Sequence, residues 1–394
     1  MSRRLISLSS DLSQLEAEGY DLRILNGYLL VQDVPYLGLD AQLRRGTLVS
    51  SLDLAGEVTV PPQDHTVRFI GEFPCDEHGS TLEALRHGEG QDLGGGLVVN
   101  YSFSQKKIGG IPYSDYHEKM TTYVAMIERH AQAIDPSATA RTHPVLVPDA
   151  DDPDVFNYVE TASSRAGIVA ATDKLRLSSI GIIGLGGTGS YVLDQVAKTP
   201  VGAIHLFDDD VFLTHNAFRG PGAPTLDELN EKPTKVGYWH RLFSKMHRGI
   251  VAHPYRIDAS TVHELKGMDY LFVCIDAGDT KRIIVEALEE FDIPFVDVGM
   301  GIGLRQDSSL AGILRATSSK PGRRDKFRTR VSLAEAGPDA EYEDNIQIAD
   351  LNALNALLAV FQWKTHFMFY DDFQDALHVT FTTDTSMLLV EDGP

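Results

Sequence analysis

Cysteine is almost absent from this 394-residue chain, which contains only Cys75 and Cys274. Two thiols cannot build a disulfide framework or a four-cysteine zinc site within one chain, so the sequence predicts a reducing compartment and no structural zinc. Runs of about 18 apolar residues are also lacking, and the first residues have no apolar signal-peptide core. We therefore expect a cytoplasmic protein without a membrane span or a membrane partner.

Positive charge is scarce as well, with 35 Lys and Arg against 56 Asp and Glu and a formal net charge of −21. Such a chain repels the phosphate backbone of a nucleic acid at long range, which argues against a nucleic-acid partner. A protein partner with a basic or neutral surface fits this charge better. The 43% hydrophobic and 23% charged residues are typical of a globular chain.

The pattern of apolar residues changes near residue 145. Before this point, short β-rich segments broken by Gly and Pro surround one helical stretch from Asp115 to Ala133. Beyond it, apolar strand runs alternate with helical patterns, which predicts βαβ units. The predicted fold class is α/β: a doubly wound, mostly parallel Rossmann-like sheet in residues 146–394, preceded by a smaller α+β domain in residues 1–145.

A buried strand runs directly into a glycine-rich turn in the segment IGIIGLGGTGS, which begins at Ile180. At such a junction, backbone N–H groups and the start of a helix can face phosphate oxygens without interference from a Cβ atom. The candidate nucleotide-binding residues are Gly184, Gly186, Gly187 and Gly189. The G-x-G-x-x-G spacing also occurs in NAD-dependent enzymes, so this junction alone does not identify the nucleotide.

Polar and charged residues follow the next predicted strand, and they distinguish a nucleoside triphosphate from NAD as the bound nucleotide. Asp208 and Asp210 end that strand, at roughly the 20-residue spacing at which a carboxylate meets a ribose hydroxyl in either class of enzyme. Asn216 and Arg219 come next, and Lys235 follows them. An amide and two cations in this order fit a triphosphate, because cations can neutralise the charge that develops at the α-phosphoryl group.

A further acidic residue, Asp276, ends another apolar strand in the segment LFVCIDAGD. A carboxylate at the C-terminal edge of a parallel strand lies in the crevice where such sheets bind ligands, and it can hold Mg²⁺ on the phosphates. Capping of the following helix is the alternative role, and Asp279 could fill it equally well.

The ordered segments GLGGTGS, DDDVFLTHNAFR, TKVG and CIDAGD resemble the ThiF/MoeB/ubiquitin-activating family of adenylating enzymes, over roughly residue 153 to the C-terminus. The resemblance implies that the chain uses ATP and Mg²⁺ to adenylate the C-terminal carboxylate of a ubiquitin-like protein. It also implies roles for single residues: nucleotide contacts for Gly184, Gly186, Gly187, Asp208 and Asn216, phosphate contacts for Arg219 and Lys235, and magnesium binding for Asp276.

The same resemblance implies a homodimer. Family members carry an arginine ahead of the glycine strand that reaches into the neighbouring subunit's ATP site, and Arg165 occupies that place here. The N-terminal part resembles a domain that precedes ThiF-like modules in bacterial operons that look like ubiquitin-conjugation systems. A conjugating-enzyme-like protein is therefore expected as a further partner.

The chain also departs from the family pattern. The family's glutamine after the arginine is Gly220 here, and Lys232 competes with Lys235 for the lysine role. No cysteine follows Cys274, so a thioester on a crossover-loop cysteine is excluded. Other acyl acceptors stay open: the Cys75 thiol and the hydroxyls of Ser308, Ser309, Thr317, Ser318 and Ser319.

Three other functions remain alternatives at this point. They are an adenylating enzyme for a sulfur carrier or a modified tRNA base, an NAD-dependent oxidoreductase, and an inactive scaffold that binds a ubiquitin-like protein. The net charge weakens the tRNA version, and the set of Asn216, Arg219 and Lys235 weakens the NAD version.

Overall fold

The computed structural model describes residues 2–148, 154–276, 278–333 and 346–391. Contacts within the chain divide it into two compact units: Met1–Asp152 with Val159–Val169, and Pro153–Tyr158 with Ala170–Pro394. Because residues 153–158 and 159–169 belong to different units, no single position in the sequence separates them. The domain boundary between residues 145 and 146 therefore stays a prediction.

The first unit is built around an antiparallel sheet. Its strands are β1 (Leu22–Leu25), β2 (Tyr28–Leu37), β3 (Leu43–Ser51), β4 (Leu54–Ala55), β5 (Val58–Thr59), β6 (Thr66–Ile70), β7 (Arg86–Asp92) and β8 (Val98–Ser104). Six of them pair in the order β1-β2-β3-β6-β8-β7, while β4 and β5 form a separate pair. Its helices are α1 (Ser2–Leu8), α2 (Ser10–Ala17), α3 (Tyr116–Ile134) and α4 (Ala162–Arg165).

Helix α3 is the helix that the sequence predicts from Asp115 to Ala133. Asp115 caps it, since its carboxylate accepts the N–H of Glu118 at 2.7 Å. One face of the helix packs against β2 and β3, and Tyr116, Met120 and Tyr123 on that face are fully buried. The first unit thus has its own hydrophobic core.

The second unit alternates strands and helices. Its strands are β9 (Ser179–Ile183), β10 (Ala203–Phe207), β11 (Ile250–His253), β12 (Tyr270–Val273), β13 (Phe295–Leu304), β14 (Leu310–Ser319), β15 (His378–Thr382) and β16 (Met387–Glu391). Its helices are α5 (Val169–Thr172, beginning at the last residue of the first unit), α6 (Gly187–Val196), α7 (Thr214–Ala217), α8 (Leu226–Asn230), α9 (Lys235–Phe243), α10 (Asp279–Glu290), α11 (Arg324–Arg330) and α12 (Ala349–His366). Short 3₁₀ turns occur at Glu83–Leu85, Ile108–Gly110, Asp173–Leu175 and Val262–Leu265.

The second sheet has eight strands in the order β11-β10-β9-β12-β13-β14-β15-β16. The first five are parallel and the last three are antiparallel additions. Adjacent residues of β9 enter different cores, with Ile182 facing the side of α6 and α12 and Ile183 facing the side of α10. The predicted doubly wound, mostly parallel sheet is therefore confirmed.

The order of the strands determines where a ligand can bind. From β9 the chain moves to β10 and β11 on one side, then returns to β12 and β13 on the other. This reversal leaves a crevice beyond the carboxyl ends of β9 and β12. Within the ranges given above, no helix combines the length and apolarity needed to cross a bilayer.

Candidate functional site

A cleft of about 490 Å³ occupies this crevice. Its walls come from the residues that follow β9, β10, β11 and β12, from β13 and from α12. Among the residues that the sequence predicts as functional, those on the cleft are Gly184, Gly186, Gly187, Asp208, Asp210, Arg219, Lys235 and Asp276. The structure thus brings together residues that are up to 92 positions apart in the sequence, because all follow parallel strands at one edge of the sheet.

The glycines of the loop after β9 serve different purposes. Gly184 has a φ of +88°, and a Cβ atom there would lie 2.5 Å from the carbonyl oxygen of Cys274. A Cβ on Gly187 would lie 2.0 Å from Asn352 Nδ2, and one on Gly189 would lie 1.9 Å from the Gly184 oxygen. These three glycines are therefore required by protein packing, and Gly189 does not line the cleft.

Gly186 differs from its neighbours, because no atom lies within 4 Å of its hypothetical Cβ. It lines the cleft and precedes helix α6, whose first residues also line it. A phosphate oxygen can therefore approach the backbone at this residue without meeting a side chain.

Asp208 ties the glycine loop to the strand beside it. It is 8% exposed, and its two carboxylate oxygens accept the backbone N–H groups of Leu185 at 2.7 Å and Asp210 at 2.9 Å. Lys235 Nζ lies 3.5 Å from the same carboxylate. A carboxylate offers about four acceptor positions, so capacity remains for a ligand hydroxyl.

Lys235 begins helix α9 and reaches the cleft from a buried position, with 7% of its surface exposed. Its Nζ lies 2.5 Å from Asp210 Oδ2, and this hydrogen bond lowers the pKa of Asp210, with the charge of Lys235 adding to the effect. Lys232 does not line the cleft. The geometry therefore favours Lys235 over Lys232 for contact with a bound anion.

The loop after β10 also positions Arg219. Arg219 lines the cleft, and its buried Nε has no hydrogen-bond partner among the described residues. Asn216 does not line the cleft; instead its Oδ1 accepts the Leu213 N–H at 2.8 Å and its own carbonyl accepts the Arg219 N–H at 3.2 Å. In this structure Asn216 supports the loop that carries Arg219, while its buried Nδ2 has no hydrogen-bond partner among the described residues. A nucleotide contact for Asn216 stays a prediction.

Asp276 lies on the cleft with an exposed side chain, which suits a carboxylate that has to share Mg²⁺ with phosphates. Among the described residues, a group of three carboxylates within 4.8 Å occurs elsewhere, at Asp208, Asp209 and Asp210. Lys235 and Arg256 already pair with members of that group. Magnesium binding by Asp276 stays a prediction.

Arg165 is the predicted site residue that belongs to the first unit. It ends α4, its side chain is exposed, and its Nη2 donates to the Ala17 carbonyl at 3.4 Å. Its expected place is the site of a neighbouring subunit, so its role stays a prediction.

Neither cysteine has surroundings that favour a thiolate. Cys75 is buried, and this burial, followed by the charge of Asp76, raises the pKa of its thiol. Cys274 lines the cleft, and burial raises its pKa as well, with the charge of Asp297 adding to the effect. None of the five candidate hydroxyls in β14 and in the turn before it, Ser308, Ser309, Thr317, Ser318 and Ser319, lines the cleft.

Sequence reasoning missed the contribution of α12. Asn355 of α12 lines the cleft, as does Gln347, which precedes this helix. Asn352 is fully buried; its Oδ1 accepts from Thr188 Oγ1 at 3.1 Å and its Nδ2 donates to the Arg219 carbonyl at 3.2 Å. The signal in the sequence is the pair of asparagines three residues apart within an otherwise apolar helix, LNALNALLAVF, which places two amides on one helix face.

Comparison with known proteins finds a family match in each half of the chain. Residues 158–312 match the ThiF family, while residues 10–161 match DUF6791, a domain of unknown function. The resemblance found in the sequence is therefore confirmed for residues 158–312.

Two curated relatives share part of the chain. The adenylyltransferase and sulfurtransferase UBA4 of Saccharomyces cerevisiae is 26% identical over 147 residues, which are 35% of this chain and 31% of UBA4. The ubiquitin-like modifier-activating enzyme 5 of Oryza sativa subsp. japonica is 22% identical over 197 residues, 44% of each protein. The chain thus spans less than half the length of these relatives.

Among solved structures, Escherichia coli MccB with ATP is 16% identical, with a TM-score of 0.44, over 57% of this chain and 67% of MccB. The complex of MccB with AMPCPP and the selenomethionine form of MccA gives 17% identity and a TM-score of 0.47. These likenesses are weak, and the fold described above does not depend on them.

Proposed function

We propose that this chain binds ATP and adenylates the C-terminal carboxylate of a ubiquitin-like protein or another peptide. One observation carries the proposal: Gly186, Arg219, Lys235 and Asp276 converge on a single cleft at the switch point of the parallel sheet. The names of the two curated relatives, an adenylyltransferase and a modifier-activating enzyme, support the same reaction class. Because the chain spans less than half of each, its substrate and partners are part of the proposal.

In this reaction, an oxygen of the substrate carboxylate forms a bond to the α-phosphorus of ATP. The bond from the α-phosphorus to the bridging oxygen of the β-phosphate breaks, and its electron pair leaves with pyrophosphate. The product is an acyl-adenylate. Arg219 and Lys235 stabilise the negative charge on the phosphates, and the open backbone at Gly186 admits their oxygens.

Asp276 and the phosphates would hold Mg²⁺, which supplies charge neutralisation at the leaving pyrophosphate. Asp208 would accept a ribose hydroxyl, since it follows β10 beside the glycine loop. The transfer of the acyl group is assigned to a separate conjugating-enzyme-like protein, because neither cysteine of this chain favours a thiolate.

A dehydrogenase is the competing function for a glycine loop followed by an acidic residue. It has no use for a buried lysine and an arginine that line the same cleft as the glycine loop. Calorimetry with ATP–Mg²⁺ and with NAD separates the two functions. Binding of NAD in the micromolar range without a response to ATP would contradict the proposal.

The reverse reaction tests catalysis before the natural substrate is known. We expect the protein to form ATP from acetyl-glycyl-glycyl adenylate and Mg²⁺–pyrophosphate, and luciferase detects this ATP. The signal is specific for the reverse reaction, because simple hydrolysis of the adenylate yields only AMP. Lys235→Ala should lower the rate about 10²- to 10³-fold. Lys232→Ala is the matched control and should retain the wild-type rate. Wild-type protein that binds ATP but forms none from the adenylate would indicate a binding scaffold instead.

A further inference from the structure

Asn355 has an unusual environment in the cleft wall. It lies on α12, is 1% exposed and lines the cleft. Its Nδ2 donates to the Gly299 carbonyl at 3.2 Å, whereas its Oδ1 has no hydrogen-bond partner among the described residues. A buried acceptor without a partner is destabilising and uncommon in folded proteins, and it indicates a missing donor.

The orientation of this amide is fixed by Gly299. A backbone carbonyl can only be met by a donor, so the nitrogen of Asn355 faces Gly299 and the oxygen is the atom left for another group. Gln347 is on the same wall, and its Oε1 also lacks a partner among the described residues. This part of the cleft therefore offers hydrogen-bond acceptors.

Asn352, three residues earlier on α12, provides the contrast. Its Oδ1 accepts from Thr188 Oγ1 at 3.1 Å and its Nδ2 donates to the Arg219 carbonyl at 3.2 Å. Both ends of this amide therefore have partners, and they hold α12 against the glycine loop and the loop that carries Arg219. The two asparagines on one helix face thus have different tasks.

The position of Asn355 argues against the phosphates and the ribose as the source of its donor. Phosphate oxygens carry no N–H or O–H group at neutral pH apart from the terminal phosphate, so they do not satisfy an acceptor. The ribose hydroxyls are expected at Asp208, which follows β10, whereas Gly299 is in β13. Three strand spacings separate β10 from β13, about 14 Å at 4.8 Å each.

We infer that Asn355 Oδ1 accepts a backbone N–H of the acyl substrate and thereby selects peptidyl carboxylates over carboxylic acids that lack an amide. This inference rests on the proposed adenylation. The donor is the N–H of the peptide bond nearest the reacting carboxylate. Its contact with Asn355 holds the tail beside Gly299, which also lines the cleft.

The test compares two probes that differ in one group. One is adenosine 5′-sulfamate acylated with acetyl-glycyl-glycine; the other has an ester oxygen in place of the N–H between the two glycine units. Wild-type protein should bind the amide probe about three- to tenfold more tightly in calorimetry, the range of one neutral hydrogen bond. Asn355→Ala should bind both probes equally, with ATP affinity unchanged within about twofold.

Two further variants keep the result interpretable. Asn355→Asp retains an acceptor but cannot donate to Gly299, so it should still prefer the amide probe even if both bind more weakly. Asn352→Ala, the matched control, should weaken both probes and ATP together and retain the preference.

Equal binding of the two probes by wild-type protein, or a preference that survives in a folded Asn355→Ala variant, would overturn the role of Asn355 alone. Failure of the wild-type protein to bind ATP and both probes would overturn the proposed function with it.

Discussion

Gly186 precedes helix α6 and Gly189 lies in its first turn, and their surroundings predict opposite effects of the same substitution. Gly186→Ala adds a methyl group to open space on the cleft, so the free energy of unfolding should change by less than about 0.5 kcal/mol. ATP affinity should fall about tenfold or more, because the methyl group occupies space needed by a phosphate oxygen. Calorimetry and urea unfolding measure the two quantities.

Gly189→Ala is the matched variant. Its methyl group would lie 1.9 Å from the Gly184 oxygen, so the loop must move, and stability should fall by about 1–3 kcal/mol. A Gly186→Ala protein that is destabilised to the same extent while still binding ATP would contradict the assignment of Gly186 as the residue open to a ligand.

Lys119 gives the first unit a testable pH dependence. It is fully buried, donates to Ser50 Oγ at 2.9 Å and to the Asp64 carbonyl at 2.7 Å, and its burial lowers its pKa to about 8. Between pH 8 and about 10 the unfolded state holds this proton more often than the folded state. Stability should therefore rise with pH in that window, by at most about 1.4 kcal/mol per pH unit.

The comparison with Lys119→Met isolates this effect. Buried Tyr116 and Tyr123 have raised pKa values, and so does the Cys75 thiol, so their titration acts in the opposite direction in both proteins. Hydrogen exchange of α3 at pH 8.0 and 9.5 reports the stability of this unit. Identical pH dependence in the two proteins would show that Lys119 has an ordinary pKa.

At the scale of elements, a buried ion cluster joins α10, β13 and β14. Asp297 is 0% exposed; Lys281 Nζ lies 2.6 Å from its Oδ1 and Arg315 Nη2 lies 2.7 Å from its Oδ2. Asp297→Ala leaves two cations in the interior without their partner, so the second unit should lose about 3–5 kcal/mol. Tryptophan fluorescence during urea unfolding measures this loss, since Trp239 and Trp363, the two tryptophans of the chain, are both buried in this unit.

A surface pair provides the control for that measurement. Arg176 Nε lies 2.8 Å from Asp173 Oδ1, but both side chains are largely hydrated. Asp173→Asn should therefore cost less than about 1 kcal/mol. Comparable losses for Asp297→Ala and Asp173→Asn would show that the cluster at Asp297 does not hold the three elements together.

Periodicity predicts some of these elements better than others. Four of the five parallel strands, β9, β10, β12 and β13, contain apolar runs that the sequence alone predicts. The short β11 is only partly buried and does not have such a run. The antiparallel β14, β15 and β16 and the position of α12 depend on pairing and packing between distant residues, which periodicity does not encode. In the site, the glycine loop and Arg219 could be predicted because local sequence motifs mark them. The cleft-facing role of Asn355 could not, because it depends on how α12 packs.

At the scale of the whole molecule, one prediction distinguishes sites that are complete within a chain from sites shared between two chains. Arg165 is exposed at the end of the short helix α4. If the protein is a homodimer with two-fold symmetry, Arg165 can act in the partner's cleft. Arg165→Ala should then remain a dimer in sedimentation and retain ATP binding, while ATP formation from acetyl-glycyl-glycyl adenylate falls about 10²- to 10³-fold.

Mixing experiments test whether this arginine acts across the interface. Arg165→Ala and Asp276→Ala should each be nearly inactive alone. When equal amounts of the two variants exchange subunits at random, about half of the dimers are mixed. Under two-fold symmetry, one of the two sites in each mixed dimer has both an intact Arg165 and an intact Asp276. Activity should therefore recover to about a quarter of the wild-type value.

Exchange can be followed by native mass spectrometry with one variant isotopically labelled. If mixed dimers form and activity stays at background, Arg165 acts within its own chain or has no catalytic role, whereas full activity of Arg165→Ala alone would remove it from the site.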